Sequence, residues 1–115
     1  MNYSECIISQ NHNVLEALEF LNESVPKVLF VTDDLGVLKG SITDGDIRRA
    51  ILLGLNSGDN ITAVMNPNPI ALQKTHTKRE LFIKFKDTRV MLIPIVDIEG
   101  RIVDIASNVH LCIML

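Results

Sequence analysis

The sequence repeats itself at an offset of 64 positions, and this repeat constrains the fold more than any other feature. Residues 31–38, V-T-D-D-L-G-V-L, then lie over residues 95–102, I-V-D-I-E-G-R-I. This match places Asp33 on Asp97 and Gly36 on Gly100. Extended backwards without a gap, the same offset places Glu16 on Glu80, His12 on His76 and Met1-Asn2 on Met65-Asn66. A repeat of this length predicts two copies of one structural unit, 1–64 and 65–115, with the second copy cut short.

Both copies show the same order of strand patterns. These patterns lie at 6–8, 27–32 and 37–42 in copy one, and at 70–72, 90–96 and 101–106 in copy two. The sequences D-D-L-G and D-I-E-G stand between the two longer strands, and Asp followed by Gly is typical of a tight turn. Each copy is therefore expected to contain a small sheet with one hairpin.

Helical patterns follow the first strand of each copy, and in copy one another helix is predicted over 44–53. Gly54, Gly58 and Asn60 end that helix. Apolar residues at helical spacing predict the buried faces: Val14, Leu15, Ala17, Leu18 and Leu21 in the first helix, Leu81, Phe82 and Phe85 in its counterpart, and Ile47, Ala50 and Ile51 in the helix over 44–53. One β-α-β-β-α unit is too small to bury its own sheet well. We therefore expect two units packed sheet against sheet around a shared core.

Composition narrows the class of function. The net charge is −3 and the pI about 5.5, whereas a nucleic-acid-binding protein usually carries a basic face. Four Phe, one Tyr and no Trp leave few side chains for stacking on single strands. No apolar stretch reaches membrane-spanning length, and N-Y-S-E at 2–5 interrupts any apolar start of a signal peptide. Cys6 and Cys112 lack motif spacing, which favours a reduced cytoplasmic protein over a disulfide.

No catalytic or metal motif stands out in the sequence. His12, His76 and His110 have no metal-ligand spacing with each other or with the cysteines, and the acidic residues at 33–34 and 44–46 lack the length and terminal Glu of a calcium loop. A Walker A sequence, a G-x-G-x-x-G loop and a Ser-His-Asp motif are all missing. The basic run at 74–80 is better explained as a helix start, with a capping box of Thr77 and Glu80.

The junction at 40–51, G-S-I-T-D-G-D-I-R-R-A-I, is more polar and more flexible than a helix start requires. Thr43 followed by Asp46 is a capping-box-like pair, with Asp in place of the usual Glu or Gln, and would stabilise the helix by about 1 kcal/mol. The first N–H groups of the helix and the positive end of its dipole also favour an anion there. Gly45 would let a ligand approach the backbone closely. Capping and ligand binding are compatible, and both interpretations stay open at this point.

The order of these segments resembles a tandem pair of cystathionine-β-synthase (CBS) domains, also called a Bateman module. The resemblance rests on 31–50, V-T-D-D-L-G-V-L-K-G-S-I-T-D-G-D-I-R-R-A, on V-M-N-P-N-P-I-A-L at 64–72 and on L-I-P-I-V-D-I-E-G-R-I-V-D at 92–104. T-D-G-D-I-R-R-A is similar to the CBS pairs of sugar-phosphate nucleotidyltransferases and of sugar-phosphate isomerases. Met1 lies just before the first repeat, which favours the N-terminal pair of a nucleotidyltransferase.

The resemblance implies an adenosine-nucleotide site at the junction. The family motif runs Gly, a small or apolar residue, any residue, Thr or Ser, two residues and Asp, and it reads G-S-I-T-D-G-D at 40–46. It implies that Thr43 hydrogen-bonds a phosphate and that Asp46 accepts from the ribose hydroxyls, with Ile42, Asp44 and Gly45 completing the site. A carboxylate suits the second role because it accepts two hydrogen bonds from a diol. The ligand implied is AMP, ADP or ATP.

The phosphate and the base would need further contacts. Arg48 or Arg49 would add charge to the phosphate site, although a solvated helix face also explains both residues. The resemblance places the base between the start of a repeat and its central strand, where Ile7, Ile8 and Leu29 are candidates. The alternative for these three residues is plain core.

Copy two departs from the motif. Asp104 replaces Gly40, Ser107 replaces Thr43 and His110 replaces Asp46. Ser107 would still hold a phosphate, but His110 is a poorer acceptor for a diol, so a second site is doubtful. The apolar segment at 109–115 is too short for a full final helix. We expect it to be buried against the module, a second subunit or a following domain.

The resemblance therefore implies an α+β fold of two CBS repeats with pseudo-twofold symmetry, the second repeat lacking its full final helix. It implies a homodimer and a regulatory module without catalysis of its own, which controls an attached or associated enzyme, the nucleotidyltransferase being favoured. No cofactor, nucleic acid or membrane partner is expected. The alternative is a structural dimerisation module with no physiological nucleotide.

Overall fold

A computed structural model describes residues 3–108 of the chain, which divides between Pro69 and Ile70 into two compact units, unit 1 and unit 2. The strands and α-helices, in chain order, are β1 (Ile7–Ser9), α1 (Val14–Glu23), β2 (Val28–Thr32), β3 (Leu38–Thr43), α2 (Asp44–Leu52), β4 (Leu72–Gln73), α3 (Lys78–Thr88), β5 (Leu92–Val96) and β6 (Ile102–Ser107). Short 3-10 helices at Tyr3–Cys6 and Ile61–Ala63 complete the set. Most predicted bounds are within two residues of these, and the helix predicted over 44–53 ends at Leu52.

Each unit contains one three-stranded sheet, and the two sheets have the same topology. In unit 1, β1 pairs parallel with β2, and β2 pairs antiparallel with β3. In unit 2, β4 pairs parallel with β5, and β5 antiparallel with β6. A parallel pair needs a crossover connection, which α1 supplies in unit 1 and α3 in unit 2. These elements confirm the predicted α+β fold of tandem repeats. The predicted lack of a full final helix falls on 109–115, outside the described residues.

The offset of 64 seen in the sequence recurs in the strand register. Leu29 pairs with Ile42 in unit 1, and Ile93 pairs with Ala106 in unit 2. The register shifts between Val31 and Thr32, and again at the equivalent step between Ile95 and Val96. The two copies are therefore equivalent residue by residue through their hairpins. The predicted repeat bounds, 1–64 and 65–115, describe this symmetry and remain a prediction.

The hairpin turns of both units are built by one aspartate each. Asp33 Oδ1 accepts hydrogen bonds from the N–H of Leu35 at 2.9 Å and of Val37 at 3.0 Å. Asp97 Oδ1 accepts from the N–H of Glu99 at 3.0 Å and of Arg101 at 2.9 Å. The glycines of the two turns have φ of 83° and 86°, a left-handed conformation that glycine adopts without strain. The predicted Asp-Gly turns are confirmed.

Capping boxes start the two equivalent helices. Asn13 Oδ1 accepts from the N–H of Glu16 at 2.9 Å, and Glu16 Oε1 accepts from the N–H of Asn13 at 3.0 Å. Thr77 and Glu80 make the same reciprocal pair at the start of α3, as predicted. Each box supplies acceptors for two N–H groups that have no acceptor within the helix. The first residue of each short helix is therefore well defined.

A core cluster of buried residues lies on one face of the sheet in each unit. In unit 1 the cluster joins the sheet to both helices, and its members are Ile8, Val14, Ala17, Leu21, Leu29, Val31, Ile42, Ile47 and Ile61. In unit 2, Phe85 of α3 packs with Ile93 and Ile95 of β5, with partly buried apolar residues around them. Since alternate strand residues point to opposite faces, each cluster uses one face of its sheet.

The burial predicted for three helical residues is wrong. Leu15 is 49% exposed, Ile51 55% and Phe82 36%. Each follows a residue that is buried or partly buried, and one residue corresponds to about 100° of rotation around a helix. A helix that packs on one side of a three-stranded sheet buries a narrower stripe than the sequence pattern indicated.

The chain that follows α2 returns to the sheet of unit 1. Ile61 is fully buried in the core cluster of this unit. Farther along, Ser41 of β3 and Asn66 form a short antiparallel bridge, with N–H to carbonyl distances of 3.0 and 2.8 Å. Asn66, which lies at the start of copy two in the sequence, is thus paired with the last strand of unit 1.

Candidate functional site

The junction of β3 and α2 is the point where polar side chains concentrate. Ile42 is fully buried in the core cluster, which fixes the end of β3. Thr43 is still extended, with φ −121° and ψ 168°, and the helix begins at Asp44. The Thr43 side chain therefore lies beside the first turn of α2, where N–H groups lack intrahelical acceptors.

Thr43 and Asp46 are joined by three hydrogen bonds. Asp46 Oδ2 accepts from the N–H of Thr43 at 2.9 Å and from its hydroxyl at 3.0 Å. The Thr43 oxygen in turn accepts from the N–H of Asp46 at 3.3 Å. The capping interpretation of this pair is therefore confirmed, with Asp acting where Glu is usual. These bonds define the position of the Asp46 carboxylate, and 17% of its side chain is exposed.

Arg49 contacts the other oxygen of the same carboxylate. Its Nη2 lies 2.7 Å from Asp46 Oδ1, and 69% of the Arg49 side chain is exposed. Arg48 is also exposed, and within residues 3–108 its side chain makes no ion pair. The solvated helix face considered for the two arginines is observed, and Arg49 adds a contact that spacing alone did not predict.

Gly45 lies between these groups in ordinary helical backbone. A Cβ at this position would lie 3.6 Å from Thr43 Oγ1 and 3.3 Å from Arg49 Nη1. The glycine therefore provides space beside the Thr43 hydroxyl rather than an unusual backbone angle. Asp44, the first residue of α2, is half-buried, and its negative charge suits the positive end of the helix.

Gly40, the first residue of the motif, allows the segment at 65–66 to pack closely against β3. A Cβ there would lie 2.7 Å from the carbonyl oxygen of Asn66 and 2.6 Å from Met65 Sδ. No side chain fits without displacing backbone, so glycine allows the segment at 65–66 to pair with β3. Sequence reasoning missed Met65 and Asn66, although V-M-N-P had already been singled out as an opening motif.

The three apolar candidates for a base slot separate into two groups. Ile8 is 2% exposed and Leu29 is fully buried, and both belong to the core cluster, as the plain-core alternative expects. Ile7 is half-buried and points to the opposite face of the sheet, because neighbouring strand residues alternate. Of the three, only Ile7 keeps appreciable surface for a ligand.

The equivalent junction in unit 2 is only partly described. Ser107 ends β6 and pairs with Leu92, as Thr43 pairs with Val28 in unit 1. Asp104, at the position of Gly40, is exposed, and its Oδ1 accepts from the N–H of Ile105 at 2.8 Å. His110, Cys112 and the apolar segment at 109–115 lie outside the described residues. The predicted weakness of a second site therefore remains a prediction.

Residues 3–108 contain neither a cluster of metal ligands nor a helix that could span a membrane. No three His, Cys, Asp or Glu side chains in this part of the chain come together as a metal ligand set. No helix there is long and apolar enough to cross a membrane. The β3–α2 junction is the candidate site because Thr43, Asp46 and Arg49 converge there.

Comparison with known proteins gives a family match across both units. The CBS domain model matches residues 4–53 and again residues 61–111. Arabinose 5-phosphate isomerase GutQ of Salmonella typhi and of Salmonella typhimurium is 32% identical over 93 residues. That alignment covers 78% of this chain and 28% of the isomerase, so the chain spans less than a third of these curated relatives.

Solved structures share the fold along almost the whole chain. Two crystal structures of the CBS domain pair of protein MJ0100 with 5′-methylthioadenosine and S-adenosyl-L-methionine are 24% and 26% identical to this chain, with TM-scores of 0.74 and 0.73. They match 94% of this chain and 88% and 85% of theirs. The cytosolic domain of the Mg²⁺ channel MgtE in complex with ATP is 24% identical, with a TM-score of 0.77, over 95% of this chain and 44% of that one.

Proposed function

This chain belongs to the CBS domain family, in which it forms a tandem pair, and we propose that it is a regulatory module that binds an adenosine nucleotide. The ligands proposed are AMP, ADP and ATP. The solved CBS pairs of MJ0100 and MgtE support this proposal, because the compounds named in those complexes all contain adenosine. Catalysis would belong to an attached or associated domain.

The observation that carries the proposal is the carboxylate of Asp46 held by Thr43 at the start of α2. Its fixed position and low exposure suit a group that must receive the two hydroxyls of a ribose. Thr43 Oγ1 would turn towards a phosphate, and the N–H groups of Asp44 and Gly45 in the first turn would add donors. Binding there would use the same atoms that cap the helix.

Charge and apolar contacts would complete the site. Arg48 and Arg49 would offset the negative charge of Asp44 and Asp46 and attract the phosphate. Ile7 would contact the base, with Ile8, Leu29 and Ile42 forming the buried layer that fixes the strands. Ser107 would hold a phosphate in a weaker second site, because His110 replaces the aspartate there.

Regulation requires that the nucleotide bind two states of the module with different affinity, since equal affinity shifts no equilibrium. The attached enzyme we propose is a sugar-phosphate nucleotidyltransferase. The GutQ relatives support a sugar-phosphate enzyme and offer an isomerase as the alternative. Assays of the native protein for nucleotidyl transfer to a sugar phosphate and for aldose–ketose isomerisation distinguish the two.

The test of the proposed function is calorimetric titration of the chain with AMP, ADP and ATP, with GTP as the control ligand. We expect saturable binding of at least one adenosine nucleotide, and its loss in Asp46→Ala. Glu80→Ala is the matched control, because it removes the equivalent carboxylate from the capping box of α3 at a similar cost of about 1 kcal/mol. Binding that survives Asp46→Ala, or is lost equally in Glu80→Ala, would refute the site.

A second candidate function is homodimerisation without a physiological nucleotide. Large apolar residues are exposed on the two helices of unit 1 and just after α2, including Leu15, Ile51, Leu52 and Leu53. Such surface is typical of an interaction site. This candidate predicts that Asp46→Ala leaves both assembly and partner activity unchanged, whereas the nucleotide sensor predicts loss of regulation with assembly intact.

A further inference from the structure

We propose that Arg49 is a specificity-determining residue that competes with ligands for Asp46 and yields it only to those that carry a phosphate. The proposal rests on the proposed nucleotide site and assigns it a selection rule. The site would then discriminate AMP, ADP and ATP from adenosine, although all four carry the same base and ribose diol.

The first argument is a count of acceptor positions on Asp46. A carboxylate offers about four lone-pair positions. The N–H and hydroxyl of Thr43 take both positions on Oδ2, at 2.9 and 3.0 Å, and Arg49 takes one on Oδ1, at 2.7 Å. A single position remains, whereas a ribose diol donates two hydrogen bonds. Release of Arg49 frees a second position, on Oδ1. The Oδ2 position that the Thr43 hydroxyl holds is freed only when that hydroxyl turns towards a phosphate, which adenosine does not carry.

The second argument is where the guanidinium lies. Both terminal nitrogens of Arg49 are within 3.7 Å of the position that a Cβ on Gly45 would take, and Thr43 Oγ1 is 3.6 Å from the same point. The cation therefore covers the first turn of α2 beside the Thr43 hydroxyl. Helical side chains point back towards the N-terminus of the helix. Arg49 lies about one and a half turns after the start of α2, and its side chain can therefore reach the first turn.

The contact is placed so that it can be broken. A cation at the positive end of a helix is disfavoured by the dipole, and an ion pair with a largely exposed arginine contributes little net stability. A phosphate at this end would be bound both by the N–H groups of the first helical turn and by the Arg49 guanidinium. Arg49 would then leave Asp46 for the phosphate, which simultaneously frees the carboxylate for the ribose. A nucleoside offers Arg49 no such exchange.

The experiment compares AMP with adenosine by calorimetric titration of the wild type, Arg49→Gln, Arg49→Lys and Arg48→Gln. In Arg49→Gln we expect adenosine to bind about two- to fivefold more tightly, since the competing contact is gone, and AMP about tenfold more weakly, since a charged phosphate contact is lost. Arg48→Gln removes the same charge one residue away but no contact to Asp46. It is expected to weaken AMP binding, because one charge that attracts the phosphate is lost, and not to reproduce the tighter adenosine binding of Arg49→Gln. Arg49→Lys is expected to lie between wild type and Arg49→Gln.

The opposite signs separate this role from a structural one, because a damaged site weakens both ligands. Adenosine affinity that stays unchanged or falls in Arg49→Gln overturns the proposal, even when AMP binding still depends on Asp46 and the site itself stands. A wild-type chain that binds neither AMP, ADP nor ATP overturns the nucleotide site and the role of Arg49 together.

Discussion

Asp46 Oδ2 accepts hydrogen bonds from both the backbone N–H and the hydroxyl of Thr43, at 2.9 and 3.0 Å. One carboxylate thus completes a capping box and occupies the position proposed for a ribose acceptor. The two roles tolerate different changes. A cap accepts a side chain that is one methylene longer, whereas a diol site depends on where the oxygens lie.

Asp46→Glu separates the two roles. Glu is the usual partner in a capping box, so we expect the free energy of unfolding to stay within about 0.5 kcal/mol of the wild type. The moved oxygens should weaken nucleotide binding by about tenfold or more, as expected for the loss of hydrogen bonds to a charged group. Urea unfolding and calorimetric titration measure the two quantities. Glu80→Asp makes the reverse exchange in α3 and should not change affinity. Unchanged affinity in Asp46→Glu would assign the carboxylate to capping alone.

Gly45→Ala should improve stability and impair binding. Ala is favoured over Gly inside a helix by about 0.5–1 kcal/mol, and the backbone of Gly45 accepts a side chain. The new methyl group would crowd Thr43 Oγ1 and the Arg49 guanidinium, where the phosphate is proposed to lie. Thermal unfolding should show a higher Tm, and titration a several-fold weaker affinity for AMP. Gly58→Ala is the control that should leave binding unchanged, because the Cβ it adds would have no neighbour within 4 Å. A simultaneous gain in stability and affinity would contradict the proposed phosphate position.

The turn aspartates predict how stability depends on pH. The backbone N–H of Val37, above all, lowers the pKa of Asp33, and the backbone N–H of Arg101 lowers the pKa of Asp97. A lowered pKa in the folded state means that the unfolded chain binds protons more readily. The stabilisation is therefore fully present above the ordinary aspartate pKa of about 4, and it is lost as pH falls through the lowered values. Stability should thus decrease below about pH 4.

The double variant Asp33→Asn, Asp97→Asn tests this dependence. Urea unfolding is followed from neutral pH to about pH 2.5. The double variant should have a lower free energy of unfolding than the wild type at neutral pH, and this free energy should fall less as the solution is acidified. Asp34→Asn removes the neighbouring carboxylate without touching the turn hydrogen bonds and should keep the wild-type acid loss. A double variant whose stability falls as steeply as the wild type would show that other carboxylates, such as Glu16 with its lowered pKa, dominate acid unfolding.

Exposed leucines at the end of α2 predict self-association through unit 1. Leu52 and Leu53 are 81% and 85% exposed, so their replacement by Ser should change the free energy of unfolding by about 0.5 kcal/mol or less. Sedimentation velocity should show a dimer for the wild type and a shift towards monomer for the double variant. Ile98→Ser removes an equally exposed aliphatic group, 95% exposed, from the hairpin turn of unit 2, and should leave the sedimentation coefficient unchanged. A monomeric wild type would count against a dimer.

The hairpins and the helix starts followed closely from the sequence, because local chemistry determines them. Asp33 and Asp97 stand where a side-chain oxygen must accept two turn N–H groups, and Thr77 with Glu80 has the spacing of a capping box. Apolar spacing predicted where the helices lie, but it made their buried faces too wide by including Leu15, Ile51 and Phe82. How much of a helix is buried depends on the sheet beneath it, which spacing along one chain does not encode.

At the β3–α2 junction, the sequence predicted the capping contact between Thr43 and Asp46 but not the contact of Arg49 with Asp46. Thr43, Gly45 and Asp46 come together because they are neighbours on one strand end and one helical turn. The choice of Arg49 over Arg48 as the partner of Asp46 depends on rotamers and on the space left by Gly45, and no sequence pattern distinguished the two arginines. Pairing of Asn66 with Ser41 joins segments that are far apart in sequence, so periodicity gave no signal for it.

The bridge between Ser41 and Asn66 has a consequence for how such a duplicated chain can be divided. β3 is the last strand of its sheet, and an uncovered strand edge invites pairing with a foreign strand. The first residues of the second repeat close part of that edge, and Gly40 leaves them room to do so. A fragment that stops at residue 64 would keep every strand of the first repeat and still expose a template for aggregation. The boundary between the two repeats in the sequence is therefore not a suitable end for a fragment that contains only the first repeat.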